Sequence, residues 1–164
     1  MAYITFKPKD YFNTKLHTGT GSAASITGVG FQPDFVWVKQ RNGTENHVLE
    51  DSVRGATKLI QSDSSAAEQT GSQTLTSFDS DGFSVGTDAG WNGSSNSYVM
   101  WNWRAGTTSG ITTNSDTSIT PSAYSFNQTS GFSMVKYTGT AVDGAYLPHG
   151  LGKAPELLLL KSTS

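Results

Sequence analysis

The chain has 164 residues, enough for one domain with a real core or for one domain and part of a second. It has no cysteine, which removes disulfide frameworks, thiolate zinc sites and cysteine nucleophiles. Only 15% of the residues are charged and the net charge is −2 with acids and bases interspersed, so no basic stripe marks a nucleic-acid surface. The longest apolar run, the leucines at 157–160, is far short of a bilayer span, and MAYITFKPKD lacks a signal-peptide pattern; neither nucleic acid nor membrane insertion is expected.

Abundant Ser, Thr, Gly and Asn, with four Trp, six Tyr and eight Phe, predict short strands joined by polar turns rather than a disordered chain. The first clear element is FVWVK, where Phe35, Trp37 and Lys39 alternate with Val36 and Val38. It follows GVGFQPD, whose glycines allow a tight approach and whose Pro33 pushes Gln32 extended, so this stretch reads as the turn that sets the register of a core strand. HVLEDSVRGATKLIQSDSS carries a helical spacing at Leu49, Val53, Ala56 and Ile60, but Gly55 and the β-branched Val53 and Thr57 favour two short strands around an SVRGAT bend. LTSFDSDGFSVG predicts a hairpin around SDG, and SYVMWNWRAG predicts a central strand in which Val99, Trp101 and Trp103 share one face; Trp37, Trp101 and Trp103 are the expected core aromatics. Residues 105–128, rich in Ser, Thr and Gly, read as a linker or extended arm.

After the arm the opening pattern returns. Thr18-Gly19-Thr20 matches Thr138-Gly139-Thr140, Gly28 and Gly30 match Gly150 and Gly152, Pro33 matches Pro155, and Lys39 matches Lys161. The separation is 120 residues at the first anchor and 122 at the rest, which marks an internal repeat of tandem-domain length. The expected organisation is an all-β, antiparallel jelly-roll-like β-sandwich over 1–106, a Ser/Thr/Gly-rich arm over 107–130, and the first strands of a second, truncated unit over 131–164. A lone hairpin cannot bury its apolar face. The last segment is therefore expected to pack on the first unit, pair with another chain, or belong to a longer protein, the last being favoured.

Candidate chemistry is sparse. Glycan cleavage needs two carboxyl groups at a fixed separation, but Glu50 and Asp51 point to opposite faces of a strand, while Asp79 and Asp81 sit in a turn where Asp bonds its own backbone. Asp51 and Arg54 are placed to pair across their bend, or to bind sugar hydroxyls. His17, His47 and His149 are too scattered for a metal site, and DSDG lacks the acidic loop of a strong calcium site, so no catalytic residue, metal or cofactor is expected. The best ligand candidate is TDAGWNGSSN: Trp91 offers a ring on which a sugar can stack, with Asn92, Asn96 and Asp88 nearby for its hydroxyls.

LHTGTGS, GVGFQPDFVWVKQRN, LEDSVRGATKLIQSD, LTSFDSDGFSVG, NSYVMWNWRAG and SGFSMVKYTGTAVDGAYLPHGLGKAPELLLLKS together resemble tail-associated structural proteins of marine bacteriophages. Those proteins carry tandem domains similar to the concanavalin-A-like lectin and glucanase sandwich, and the resemblance covers most of the chain. It implies a non-enzymatic virion protein of a tail fibre or related appendage, in contact with other tail or capsid proteins and with a host-surface glycan, and a homo-oligomer such as the trimer common among appendages. The alternatives are a head-decoration protein, which would bury ELLLLKS against the capsid, and a glycan-degrading tailspike domain, against which the missing carboxylate pattern counts.

Overall fold

The computed structural model describes residues 7–164; of the unit expected over 1–106, residues 1–6 lie outside the described residues. The chain runs through β1 (Phe12–Thr18), β2 (Ala24–Ile26), β3 (Phe35–Gln40), β4 (Val48–Asp51), β5 (Lys58–Gln61), β6 (Gln69–Thr70), β7 (Leu75–Asp79), β8 (Gly82–Val85), a short helix α1 (Ala89–Asn92), β9 (Ser97–Trp103), β10 (Ala123–Asn127) and β11 (Phe132–Lys136). A six-stranded sheet in the order β1-β9-β3-β4-β5-β6 packs on a three-stranded sheet, β2-β8-β7, and β10 with β11 forms a separate hairpin. All the strand pairs are antiparallel, so the protein is the all-β sandwich that its composition predicts. The bend at SVRGAT separates two strands, as Gly55 and its β-branched neighbours require, and SDG turns the β7–β8 hairpin.

Which face of the six-stranded sheet is buried departs from expectation. Val36 pairs with Asn102 on one side and Glu50 on the other, and Val38 with Met100 and Val48, so these side chains share one face. That face, with Tyr98, meets Ile26, Phe83, Val85 and Leu75 of the smaller sheet and is the core. Trp37, Trp101 and Trp103 lie on the opposite face and are only partly buried. Their expected core role is corrected: Tyr98 and Asn102, which look like a polar face in sequence, are fully buried, because the second sheet covers them and not the tryptophans.

The GVGFQPD turn is structural. Gly28 and Gly30 have φ of 75° and 92°, in the left-handed region that glycine occupies without strain. Their amides donate to Asp81 Oδ2 and Oδ1 at 2.9 and 2.7 Å, tying the turn to the β7–β8 hairpin of the other sheet and holding the Asp81 carboxyl below its usual range. Asp34, buried at the start of β3, accepts from Ser52 Oγ and from the Ala105 amide, both at 2.8 Å. The sandwich unit closes where it begins, since the Arg104 amide donates to the Tyr11 carbonyl at 2.8 Å beside the Phe12–Trp103 pair of β1 and β9.

The stretch expected to be an arm, 107–130, contains β10, so it is not free of regular structure. Its alternating aromatics explain why: Tyr124 and Phe126 give the segment an apolar side, and Ser125 and Phe126 are buried. Phe132 of β11 stacks on Trp103 with ring centroids 5.9 Å apart and meets Phe35 at 5.8 Å, so the hairpin rests on the outer face of the six-stranded sheet. Beyond it, Gly150 and Gly152 repeat the left-handed φ of Gly28 and Gly30, at 75° and 70°. Leu157–Leu160, which the repeat lays over β3, lie outside any strand and are 60–87% exposed.

Candidate functional site

The four residues expected to bind a ligand fall at one end of the sandwich, around α1. Asp88 caps this helix, its carboxylate accepting from the Gly90 amide at 2.8 Å. The cap turns Trp91 inward. Its ring is fully buried and meets Phe83 edge-on at 5.9 Å, so no face is open to a sugar, and the stacking role assigned to Trp91 is corrected to a core role. Tyr98 holds the helix in place by donating its hydroxyl to the Ala89 carbonyl and accepting from the Gly93 amide.

Asn92 is also fully buried, and its amide group is spent inside the protein. Nδ2 donates to the Ser22 and Gly86 carbonyls at 2.6 and 2.9 Å; Oδ1 accepts from the Thr20 amide at 2.8 Å and lies 3.0 Å from His17 Nε2. It therefore joins the loop after β1, the strand end at Gly86 and α1. Asn92→Ala should cost about 2 kcal/mol in a chemical denaturation experiment, chiefly because the Gly86 carbonyl is left buried without a donor. Asn96 is partly exposed, and its backbone shapes the turn: its amide donates to the Gly93 carbonyl and its carbonyl accepts from Gly19. Only Asp88 and Asn96 of the four keep any solvent exposure, and with Trp91 turned inward they frame no binding surface.

The carboxylates are committed to structure. Arg54 Nε meets Asp51 Oδ2 at 2.6 Å, and the same guanidinium reaches Glu68 at 3.3 Å and the Leu49 carbonyl at 3.0 Å. This is the pairing that the spacing predicts. With both side chains at most 10% exposed, it fixes the bend and offers nothing to a sugar. Asp79 accepts from Ser77 and Ser84, and Asp81 holds the glycine turn. Among the described residues no group of three or more His, Asp or Glu side chains is placed to hold a metal ion, and no helix is long and apolar enough to cross a membrane. A cavity of about 340 Å³ lies between the Ser52–Val53 bend and Ser122–Tyr124 of the hairpin, with Thr108 on its wall; it holds no buried ionisable group.

The surface best suited to a ligand is the outer face of the six-stranded sheet. Trp37 of β3 pairs with Trp101 of β9, and their rings meet edge-to-face with centroids 6.0 Å apart. Thr14 of β1 continues this cross-strand row, and Leu16 and Val99 lie in the next one, so partly buried Trp37, Trp101 and Val99 adjoin exposed Thr14 and Leu16. Trp37 is held by its own polar edge, since Nε1 donates to His47 Nδ1 at 3.0 Å, which places the His47 proton on Nε2. The His47 amide in turn donates to the Asp63 carboxylate, and Lys39 Nζ donates to the Gly43 and Glu45 carbonyls, so the loop beside Trp37 is firmly tied. Trp101 Nε1 makes no hydrogen bond to the protein among the described residues and remains a donor for a ligand. The sequence carries the signal for this strip, Trp37 and the Trp101-x-Trp103 alternation, but read it as core.

No curated protein and no solved structure matches this chain. One family model, described as a domain of unknown function (DUF7483), matches residues 7–164 and so spans the whole sandwich, the hairpin and the leucine segment. The chain belongs to the DUF7483 family.

Proposed function

We propose that this protein is an adhesive structural module of a bacteriophage virion, part of a tail fibre or related appendage, that holds a host-surface glycan against the outer face of its six-stranded sheet. The observation that carries this reading is the Trp37–Trp101 pair, two partly buried indoles with centroids 6.0 Å apart on a sheet face that the second sheet does not cover. Sugars present apolar C–H faces that stack on such rings, while their hydroxyls take up donors such as Trp101 Nε1. An aromatic strip with few charges binds weakly at one site, and an appendage that presents many copies multiplies weak contacts into firm attachment. The chain's repeat, with its paired glycine turns at Gly28–Gly30 and Gly150–Gly152, supports modules in series.

The test is a glycan array and titration with host-cell polysaccharide, comparing the intact protein with Trp101→Ala. Loss of one stacking face should weaken binding about tenfold. The fold should be retained, because Trp101 is outside the core cluster. An intact protein that binds no glycan, or a variant that binds as well as the parent, rules the adhesive reading out; electron microscopy of labelled virions tests the appendage position separately.

A further inference from the structure

The outer sheet face carries charge as well as aromatic surface. Lys39 follows Trp37 on the same face of β3 and pairs with Val99, so it stands beside both indoles. Its ammonium group donates to the Gly43 and Glu45 carbonyls at 3.2 and 2.7 Å, which fixes its position, and it meets no carboxylate, since the ion pairs among the described residues are both made by Arg54. Arg41 is exposed just past β3, where its amide donates to the Ser97 carbonyl and continues the ladder on the same face. Its guanidinium takes part in no ion pair among the described residues. The neighbouring acids are engaged or turned away. Glu45 Oε2 would lie 4.0 Å from a Cβ on Gly90, beside α1, and Asp63, just past β5, accepts the His47 amide at 3.1 and 3.2 Å. The fixed polar groups that the strip presents are therefore donors: Trp101 Nε1, His47 Nε2 and the remaining N–H of Lys39.

We infer that the ligand of this face is an acidic saccharide, one whose ring lies on Trp37 and Trp101 and whose carboxylate or sulfate is held by Lys39, with Arg41 beside it. The inference rests on the reading of this face as a glycan site and names the class of glycan. A neutral sugar offers hydroxyls, each both donor and acceptor, and is matched by a site that mixes the two. Here the fixed groups are donors, and one of them carries a charge that no carboxylate of the protein neutralises. An anionic substituent answers both conditions, and its bond to an ammonium is stronger than that of a hydroxyl. Lys39 is already tethered by two carbonyls, so little side-chain freedom is lost when an anion binds. The indoles supply the part of the contact that salt does not screen, while added salt weakens the part made by Lys39 and Arg41.

The test is a glycan array in which each acidic saccharide is printed beside its neutral counterpart, uronates and sialates beside their methyl esters and sulfated chains beside their desulfated forms. The intact protein should bind the acidic member of a pair about tenfold more tightly, and the pairs that show this tell carboxylate from sulfate. Lys39→Gln should remove most of that preference while leaving affinity for the neutral member as it was, and Lys39→Arg, which keeps the charge, should retain it. Lys9→Gln, the same loss of charge on an exposed lysine outside the sheets, should leave the preference intact. Trp101→Ala should weaken both members alike. Neutral members that bind as tightly as acidic ones overturn the inference, and so does a Lys39→Gln protein that keeps as much of the preference as Lys9→Gln; either result leaves the glycan reading standing. A protein that binds no member of any pair overturns the two together.

Discussion

Replacing Trp91 by alanine should lower the free energy of unfolding by about 3–5 kcal/mol, measured by denaturant titration, because it empties the largest fully buried side chain in the sandwich. The ring sits against Phe83, and α1 is pinned above it by Tyr98, so the surrounding chain cannot collapse far into the gap. The loss is on the scale of a small domain's whole stability, and the variant should show it first as poor folding. Trp91→Phe separates packing from polarity. The indole Nε1 is buried with no partner among the described residues, so phenylalanine removes an unsatisfied donor as it removes volume, and its cost should be well under half that of alanine. A Trp91→Ala protein of parental stability would show that the ring is not the core element described above.

Stability should also fall as the pH rises from acid to neutral, and Glu50 is the cause. It is fully buried on β4, Oε1 accepts a long 3.3 Å bond from the Leu75 amide, and Oε2 has no hydrogen-bond partner among the described residues. Burial pushes its pKa from 4.5 up to about 7, against the smaller opposing pull of the nearby Thr74 side chain, the Leu75 amide and the Arg54 charge. The folded protein therefore holds a proton that the unfolded chain has released between these values. The benefit of keeping Glu50 neutral is complete below about pH 4.5 and is lost as the pH passes through 7, a change on the order of 3 kcal/mol. Glu50→Gln, which keeps the shape without the charge, should flatten this slope, leaving stability near pH 4.5 almost unchanged and raising it at pH 8 by about 3 kcal/mol. A parent whose stability is level from pH 5 to 8, or a variant with the parent's slope, would contradict it.

Local chemistry was legible wherever it decided the outcome. Gly55 and its β-branched neighbours broke the helical spacing of residues 49–60 into β4 and β5, SDG turned its hairpin, and Asp51 reached Arg54 across the bend. The faces were not legible, because β9 is apolar on both sides: Val99, Trp101 and Trp103 look more like a core than Tyr98, Met100 and Asn102 do, and only the position of the three-stranded sheet settles the matter. Trp91 failed for a related reason. Its neighbours are Gly, Asn and Ser, which mark an open loop, but the partners that bury it, Phe83 and Tyr98, lie on other strands. Asn92 could not be read as a buried hub, since it bonds to residues 20, 22 and 86 and nothing in its own neighbourhood indicates them. The candidate site moved from a turn to a sheet face as a result.

The contact between Arg104 and Tyr11 has a mechanical side. The unit's first and last strands, β1 and β9, are antiparallel neighbours whose chain ends leave at the same place, so tension applied along the polypeptide pulls Phe12 away from Trp103 and then opens the remaining pairs one after another. Load taken in this way breaks a few hydrogen bonds at a time instead of shearing all of them together, and forced opening is governed by that local rate. Units of this kind strung end to end would yield singly under a sudden pull, each lengthening the chain before the next one opens.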